Sequence, residues 1–423
     1  MKNVYNIVRV LKEDFMKNEK FKKYSDLAVK VGVNLQKDQI LMINSPVECV
    51  EFTRLLVESA YEAGASYVMV RWNDDLIRKT YFTYASEEVI AEVPDYVVEQ
   101  FKYVVDRGAA VISISAPTPG VLKDVDPKKL QIASKASYEH LNFYQKHLMA
   151  NGSQWCVISY PTQTWAEKVF GKGEDSFERL LDAILSASRV TDSNDPVAEW
   201  REHIEKLAQR NKKLNDYNFK KLHFKNKLGT DLEVELVEGH IWAGGGETTQ
   251  KGIPYCPNIP TEETFTMPHR NGANGKVVAT KPLNYQGKLI EDFYLVFKDG
   301  KAVEFGAKSE EETLKGLLEL DEGSSRLGEV ALISHDSPIS NTGILFYNTL
   351  FDENASCHLA LGNAYAMNIK GGTGMKEEEL IDKGYNKSMT HVDFMFGSED
   401  MEVVGITHGG ERIQIFKNGN FVF

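Results

Sequence analysis

Cysteine is scarce in this chain, and the four it has, Cys49, Cys156, Cys256 and Cys357, are scattered with no paired spacing. That excludes a disulfide scaffold, and reduced thiols in a cytoplasmic protein are the expectation. Long hydrophobic runs are missing too. No stretch of 18 apolar residues exists to span a bilayer, and the opening MKNVYNIVRVLKEDF is interrupted by polar or charged residues too often to serve as a signal peptide. Positive charge is in deficit, with 49 Lys and Arg against 61 Asp and Glu and a net charge of −12, which disfavours a nucleic-acid binder. The one basic stretch, residues 210–227, is interleaved with Asn and Asp and reads as a solvated linker face. Several catalytic signatures are also absent. There is no G-x-S-x-G elbow, no phosphate-binding G-x-x-x-x-G-K-[ST], no H-E-x-x-H helix and no Gly-rich dinucleotide fingerprint after the first strand. The short GGTG at 371–374 reads as a loop.

What is present describes a folded chain of ordinary composition, 42% hydrophobic and 26% charged, whose 423 residues suffice for two cores. In the first half, apolar runs at 39–45, 67–72, 109–116 and 155–161 alternate with helix-like stretches such as 46–64 and 86–108. Continuous apolar strands alternating with helices imply a mostly parallel sheet covered on both faces, an open α/β domain over 1–215. A charged helix at 195–214 then leads into a different texture. Strict alternation at Leu232, Val234 and Leu236, with hairpin dipeptides Gln286-Gly287, Asp299-Gly300 and Asn418-Gly419, predicts a mixed, β-rich α+β domain over 216–423.

That second domain carries the chemistry. In THVDFMFGS, residues 390–398, a strand places His391, Asp393 and Met395 on one face and Val392, Phe394 and Phe396 on the other. One face is core; the other offers ligands. Further acids and an imidazole stand at strand ends or in loops: Glu262 and Glu263 in NIPTEETF, Glu329 opening EVALIS, Glu353 and His358 in FDENASCHLALG. Singly each is an ordinary surface or hydrogen-bonded residue. Together they match the mixed oxygen and nitrogen donors that two borderline divalent cations require. His335 and Asp336 in SHDSPIS are adjacent, would face opposite ways if extended, and are left out.

PTEETFTMP, GEVALIS, DSPIS, FYNTLFDENASCHLALG, AY and THVDFMFGS resemble, in order and spacing, the metallo-aminopeptidase family of bacterial aminopeptidases T and S, along essentially the whole chain. The resemblance implies an N-terminal α/β domain, a C-terminal metal-binding domain, a homodimer enclosing its active sites, and a dinuclear centre. Motif by motif it makes Glu263, Glu329, His358, His391 and Asp393 the ligands and Tyr365 an active-site tyrosine. Glu353 falls where the family has a further acid, either a ligand or a proton carrier.

The expected activity is therefore removal of N-terminal residues from peptides with a free amine. Two ions would activate a water and polarise the scissile carbonyl, Glu353 or Glu263 would move the proton, and Tyr365 would donate to the oxyanion. Zinc, cobalt and manganese all suit such donors. Two other readings stand beside this one. A ring-cleaving dioxygenase with one iron could use His358, His391 and Asp393, but Glu263 and Glu329 would be surplus. A metal-stabilised binding protein is disfavoured because structural sites are closed and often Cys-rich.

Overall fold

The computed structural model describes residues 19–286 and 288–423. The opening segment read for a signal peptide and the Gly287 of one hairpin dipeptide lie outside them. The chain divides into two compact units, one holding the described residues up to Ile204 together with Gly246–Pro260, the other holding Glu205–Gly245 and Thr261–Phe423.

The first unit is built on four parallel strands, β1 (Ile40–Pro46), β2 (Tyr67–Asn73), β3 (Ala110–Ser115) and β4 (Trp155–Ser159), in the order β2-β1-β3-β4. The central strand β1 is almost wholly buried, which is why its sequence is a continuous apolar run rather than an alternating one. The helix Val50–Glu62 buries Phe52, Leu55 and Leu56, and Phe52 stacks between Tyr24 and Tyr160 at 5.1 and 4.9 Å. The predicted helix over 86–108 is instead two, Glu87–Ile90 and Asp95–Asp106. Pro94 divides them, because a proline ring drives the residue before it out of the helical region. The excursion 246–260 belongs here through a parallel bridge between Asn258 and Val157 of β4.

The second unit is antiparallel and contains two principal sheets. The larger is assembled from β5 (Phe219–Lys225), β6 (Asp231–Leu236), β8 (Pro268–Val278), β9 (Tyr294–Lys298), β10 (Lys301–Gly306), β14 (Glu402–Thr407), β15 (Arg412–Lys417) and β16 (Asn420–Phe421), in the order β10-β9-β8-β6-β5-β14-β15-β16. Asp299-Gly300 and Asn418-Gly419 turn its hairpins with both residues at positive φ, as a two-residue primed turn requires. The smaller sheet uses β7 (Thr264–Thr266), β11 (Leu327–Leu332), β12 (His358–Gly362) and β13 (His391–Met395), in the order β13-β12-β11-β7. One face of this small sheet, with Val330, Leu332, Leu359, Leu361 and Phe394, is fully buried in a core shared with the larger sheet. Each such side chain contributes about 1.5–3 kcal/mol of burial, enough to hold an opposite face crowded with charge.

The basic stretch 210–227 runs from the helix Pro196–Tyr217 into β5 and is only partly a solvated face. Arg210 lies over the Phe421 ring at 4.0 Å and Lys213 over Phe423 at 4.2 Å, so two of its charges cover aromatic surface. GGTG forms a short 3₁₀ turn at Gly372–Gly374. No helix among the described residues is long and apolar enough to cross a membrane.

Candidate metal centre

Register decides what meets on the open face of the small sheet. Asp393 of β13 lies opposite Ala360 of β12, Ala360 lies opposite Glu329 of β11, and Ala331 lies opposite His358. Directly paired residues of antiparallel strands share a face, so Glu329, His358, His391 and Asp393 project the same way, around the small side chains of Ala331 and Ala360. Glu263 joins them from the segment that enters β7.

The resulting distances are short. His358 Nε2 is 3.3 Å from Glu329 Oε1, 3.5 Å from Glu263 Oε2 and 3.9 Å from Asp393 Oδ1. His391 Nε2 is 3.3 Å from Asp393 Oδ1 and 3.6 Å from Glu329 Oε2. Among the described residues two groups can each hold an ion, Glu263 with Glu329 and His358, and Glu329 with His391 and Asp393, their donor atoms within 4.8 Å of one another. Glu329 belongs to both, with one oxygen toward each histidine.

Both rings are oriented from behind. His358 Nδ1 donates to the Glu353 carbonyl at 2.8 Å and His391 Nδ1 donates to the Asn363 carbonyl at 2.7 Å. Each bond fixes a tautomer that leaves Nε2 as the atom facing the carboxylates, the arrangement of a metal-binding imidazole.

The electrostatics call for cations. Glu263, Glu329, Glu353 and Asp393 interact across one site, and among the described residues none of them forms an ion pair with Lys or Arg. Even two charged imidazoles leave half of these acids uncompensated in a buried place. Burial, with Glu329 beside it, pushes the Glu263 carboxyl up to about 8, and burial with Glu263 drives Glu353 well above the usual range. Burial opposes charge on the rings too, but the carboxylates outweigh it and raise His358 to about 10 and His391 to about 9. Asp393 is lowered, because the histidines overcome the burial that would raise it. Its Oδ1 is buried and accepts no well-formed hydrogen bond. A buried acceptor left open, two imidazoles aimed by carbonyls and a surplus of carboxylates together fit divalent metal.

Glu353 is in neither ligand group; it lines an adjoining cleft with Asp393. Tyr365, 38% exposed, sets its ring 4.7 Å from that of His391, and burial followed by the neighbouring carboxylates raises its hydroxyl pKa. Glu262 belongs to neither ligand group and is buried, its N–H donating to Asn354 Oδ1 at 2.8 Å. His335 belongs to neither group; its N–H bonds the Gly419 carbonyl. Sequence reading missed three supports. Asn363 aims His391 through a main-chain carbonyl, which leaves no signal in the sequence. The fully buried Asn354 ties the Glu262 amide to the Leu350 carbonyl. Asp321 accepts from Ser388 Oγ and the Met389 amide and so fixes the approach to β13. Both lie in polar loop text with no distinguishing spacing.

Comparison with known proteins places this geometry in context. Residues 17–421 match the model of a family described as thermophilic metalloprotease (M29). An aminopeptidase 2 of Geobacillus stearothermophilus is 48% identical over 403 residues, 95% of this chain and 97% of that protein. The solved structure of wild-type AmpT from Thermus thermophilus superposes with a TM-score of 0.89 at 38% identity, covering 96% of this chain and 99% of that one. A 2,5-dihydroxypyridine dioxygenase of Pseudomonas putida gives a TM-score of 0.55 at 11% identity over 96% of this chain and 97% of that one, a likeness of fold alone.

Proposed function

Since the chain belongs to the thermophilic metalloprotease family M29 and is a metal-dependent aminopeptidase, we propose that it cleaves N-terminal residues from short peptides at a dinuclear centre held by Glu263, Glu329, His358, His391 and Asp393. The observation that carries this reading is Glu329, whose two oxygens face two different histidines. Bound there, divalent ions would supply an activated water and polarise the scissile carbonyl. Glu353 takes the proton of the attacking water and returns it to the leaving amine, being the carboxylate that lines the cleft beside Asp393 without belonging to either ligand group. Tyr365 donates a hydrogen bond to the developing oxyanion, with its ring steadied against His391. Zinc, cobalt and manganese are the ions whose preferences match this donor set.

The enzyme works in the cytoplasm as a homodimer. Four buried free cysteines suit a reducing compartment, and exposed Leu76, Ile77 and Tyr84 on the helix Asp75–Tyr84 offer apolar surface that a second copy would cover. Light scattering should give the mass of two chains; a monomer at working concentration would rule the dimer out. The decisive experiment is metal depletion, verified by elemental analysis, followed by readdition of each ion with an aminoacyl amide as substrate. Activity should vanish and return as the content rises to about two ions per chain. Turnover in verified absence of metal, or full activity at one ion per chain, would overturn the dinuclear reading.

A further inference from the structure

The site face of β13 does not stop at Asp393. It continues along the edge strand to Met395, and beside that edge stand the residues around Leu283 and the loop 345–349. Between them runs a cleft whose apolar wall is Leu283, Leu345, Tyr347 and Met395 and whose inner end is Glu353 and Asp393. Asp393 is also one of the metal-binding candidates, and Glu353 interacts with that cluster.

We infer that this cleft receives the side chain of the substrate's first residue and selects apolar side chains through Leu345 and Tyr347. The inference rests on the aminopeptidase reading. In such a substrate the free amine, the scissile carbonyl and the side chain all diverge from one Cα. A substrate whose amine and carbonyl are engaged beside Asp393 and Glu353 therefore has its Cβ within a few bonds of the cleft, and an apolar side chain finds apolar walls there.

The wall is built rather than incidental. Tyr347 holds φ +55, the left-handed region that an aromatic residue rarely enters. It is kept there by Asp352, whose carboxylate accepts the Phe346 amide at 2.7 Å and the Asn348 amide at 3.0 Å, one on each side of Tyr347. Asp352 immediately precedes Glu353. The wall of the cleft and the proton-carrying glutamate thus share one support, which keeps side-chain recognition in register with the chemistry. Asp352, Glu353 and Asp393 all line the cleft, and among its described lining residues there is no Lys, Arg or His to pair with an acidic side chain. Acidic first residues are excluded.

The test compares kcat/KM for the p-nitroanilides of leucine, alanine and glutamate in metal-loaded wild type, Leu345→Ala and Leu345→Trp, alongside calorimetric binding of L-leucine and L-alanine to the same proteins. Wild type should favour leucine over alanine by at least about 10-fold, since even one buried methylene is worth about 10-fold, and should barely use glutamate. Widening the cleft with Leu345→Ala or filling it with Leu345→Trp should each lower the leucine-to-alanine ratio by about 10-fold, with leucine binding weakened more than alanine binding. A ratio unchanged in both variants, with activity intact, would overturn the inference and leave the aminopeptidase reading standing, as would a preference for glutamate. Failure of loaded wild type to hydrolyse any of the substrates would bring down both.

Discussion

Glu329 offers its two oxygens to two different histidines, 3.3 Å from one and 3.6 Å from the other, whereas Asp393 approaches both through the single atom Oδ1. Replacing it with glutamine keeps the volume and removes the charge. Glu329→Gln should keep its circular dichroism spectrum, lose more than about 10²-fold in activity and retain fewer ions by elemental analysis; a full complement of metal would remove Glu329 from the proposed ligands. Tyr365→Phe tests a different act. Loss of an oxyanion donor should lower kcat on the order of 10²-fold with KM little changed, whereas an effect on KM alone would make the hydroxyl a substrate-binding group. The imidazoles give a third test in the metal-free protein. Their folded pKa values, about 10 for His358 and about 9 for His391, lie above the roughly 6.5 of an unfolded histidine. A raised folded pKa contributes stability that is fully present below pH ~6.5 and is lost as pH rises through the folded values. The metal-free protein should therefore melt at progressively lower temperature from about pH 7 to pH 10. Because an ion needs the unprotonated ring nitrogen, binding at neutral pH must expel protons. Calorimetric titrations in buffers of different ionisation enthalpy would then disagree; identical heats would mean that the rings were already neutral.

Two small residues do for the site sheet what the charged ones cannot. Ala360 sits in register between Glu329 and Asp393 and is fully buried, so its single methyl is the floor on which both carboxylates converge. Ala360→Val should fold, because β-branched residues suit strands, yet should lose most of its metal, since the added methyls occupy the space between the acids. Elemental analysis of the purified variant decides it, and unaltered metal content would show that the floor has room to spare. Gly362 closes the same strand at φ +106, where a Cβ would strike the Thr390 carbonyl, so glycine is required there for β12 and β13 to approach. Much of this element was legible beforehand. A two-residue period in His391-x-Asp393 announces a face, and the apolar partners Val392 and Phe394 announce the other. Asp-Gly and Asn-Gly announce hairpins for the same local reason. The registers that bring Glu329, Ala360 and Asp393 abreast were not legible, because strand pairing over such separations is set by packing of the whole sheet. Nor were the carbonyls that aim the histidines, since every residue has one. The break at Pro94 was legible, and reading 86–108 as one helix let the apolar periodicity override it.

For the molecule as a whole, the question is whether it reads a chain end. Blocking the amine removes its lone pair and adds bulk where the substrate should terminate. N-acetyl-leucine p-nitroanilide should be hydrolysed with kcat/KM at least about 10³-fold below that of leucine p-nitroanilide, and comparable rates would turn the enzyme from an aminopeptidase into an endopeptidase. Fold class was readable at this scale because a parallel sheet and antiparallel ribbons write different texts, unbroken apolar runs in the first unit and alternation in the second. The excursion of 246–260 into the first unit was not, since it turns on contacts such as Asn258 with Val157 rather than on composition. The order in which the site's residues occur along the chain bears on its birth. Glu263 comes first, and Glu329, His358, His391 and Asp393 follow across 130 residues, each on a different strand or at a different strand end except the last pair. Strand β5 must also await β14, its neighbour in the larger sheet, which begins only at Glu402. A ribosome thus carries an incomplete and inert chain until it has passed Asp393, however early the first unit folds. A copy terminated before His391 would lack two of the five proposed ligands.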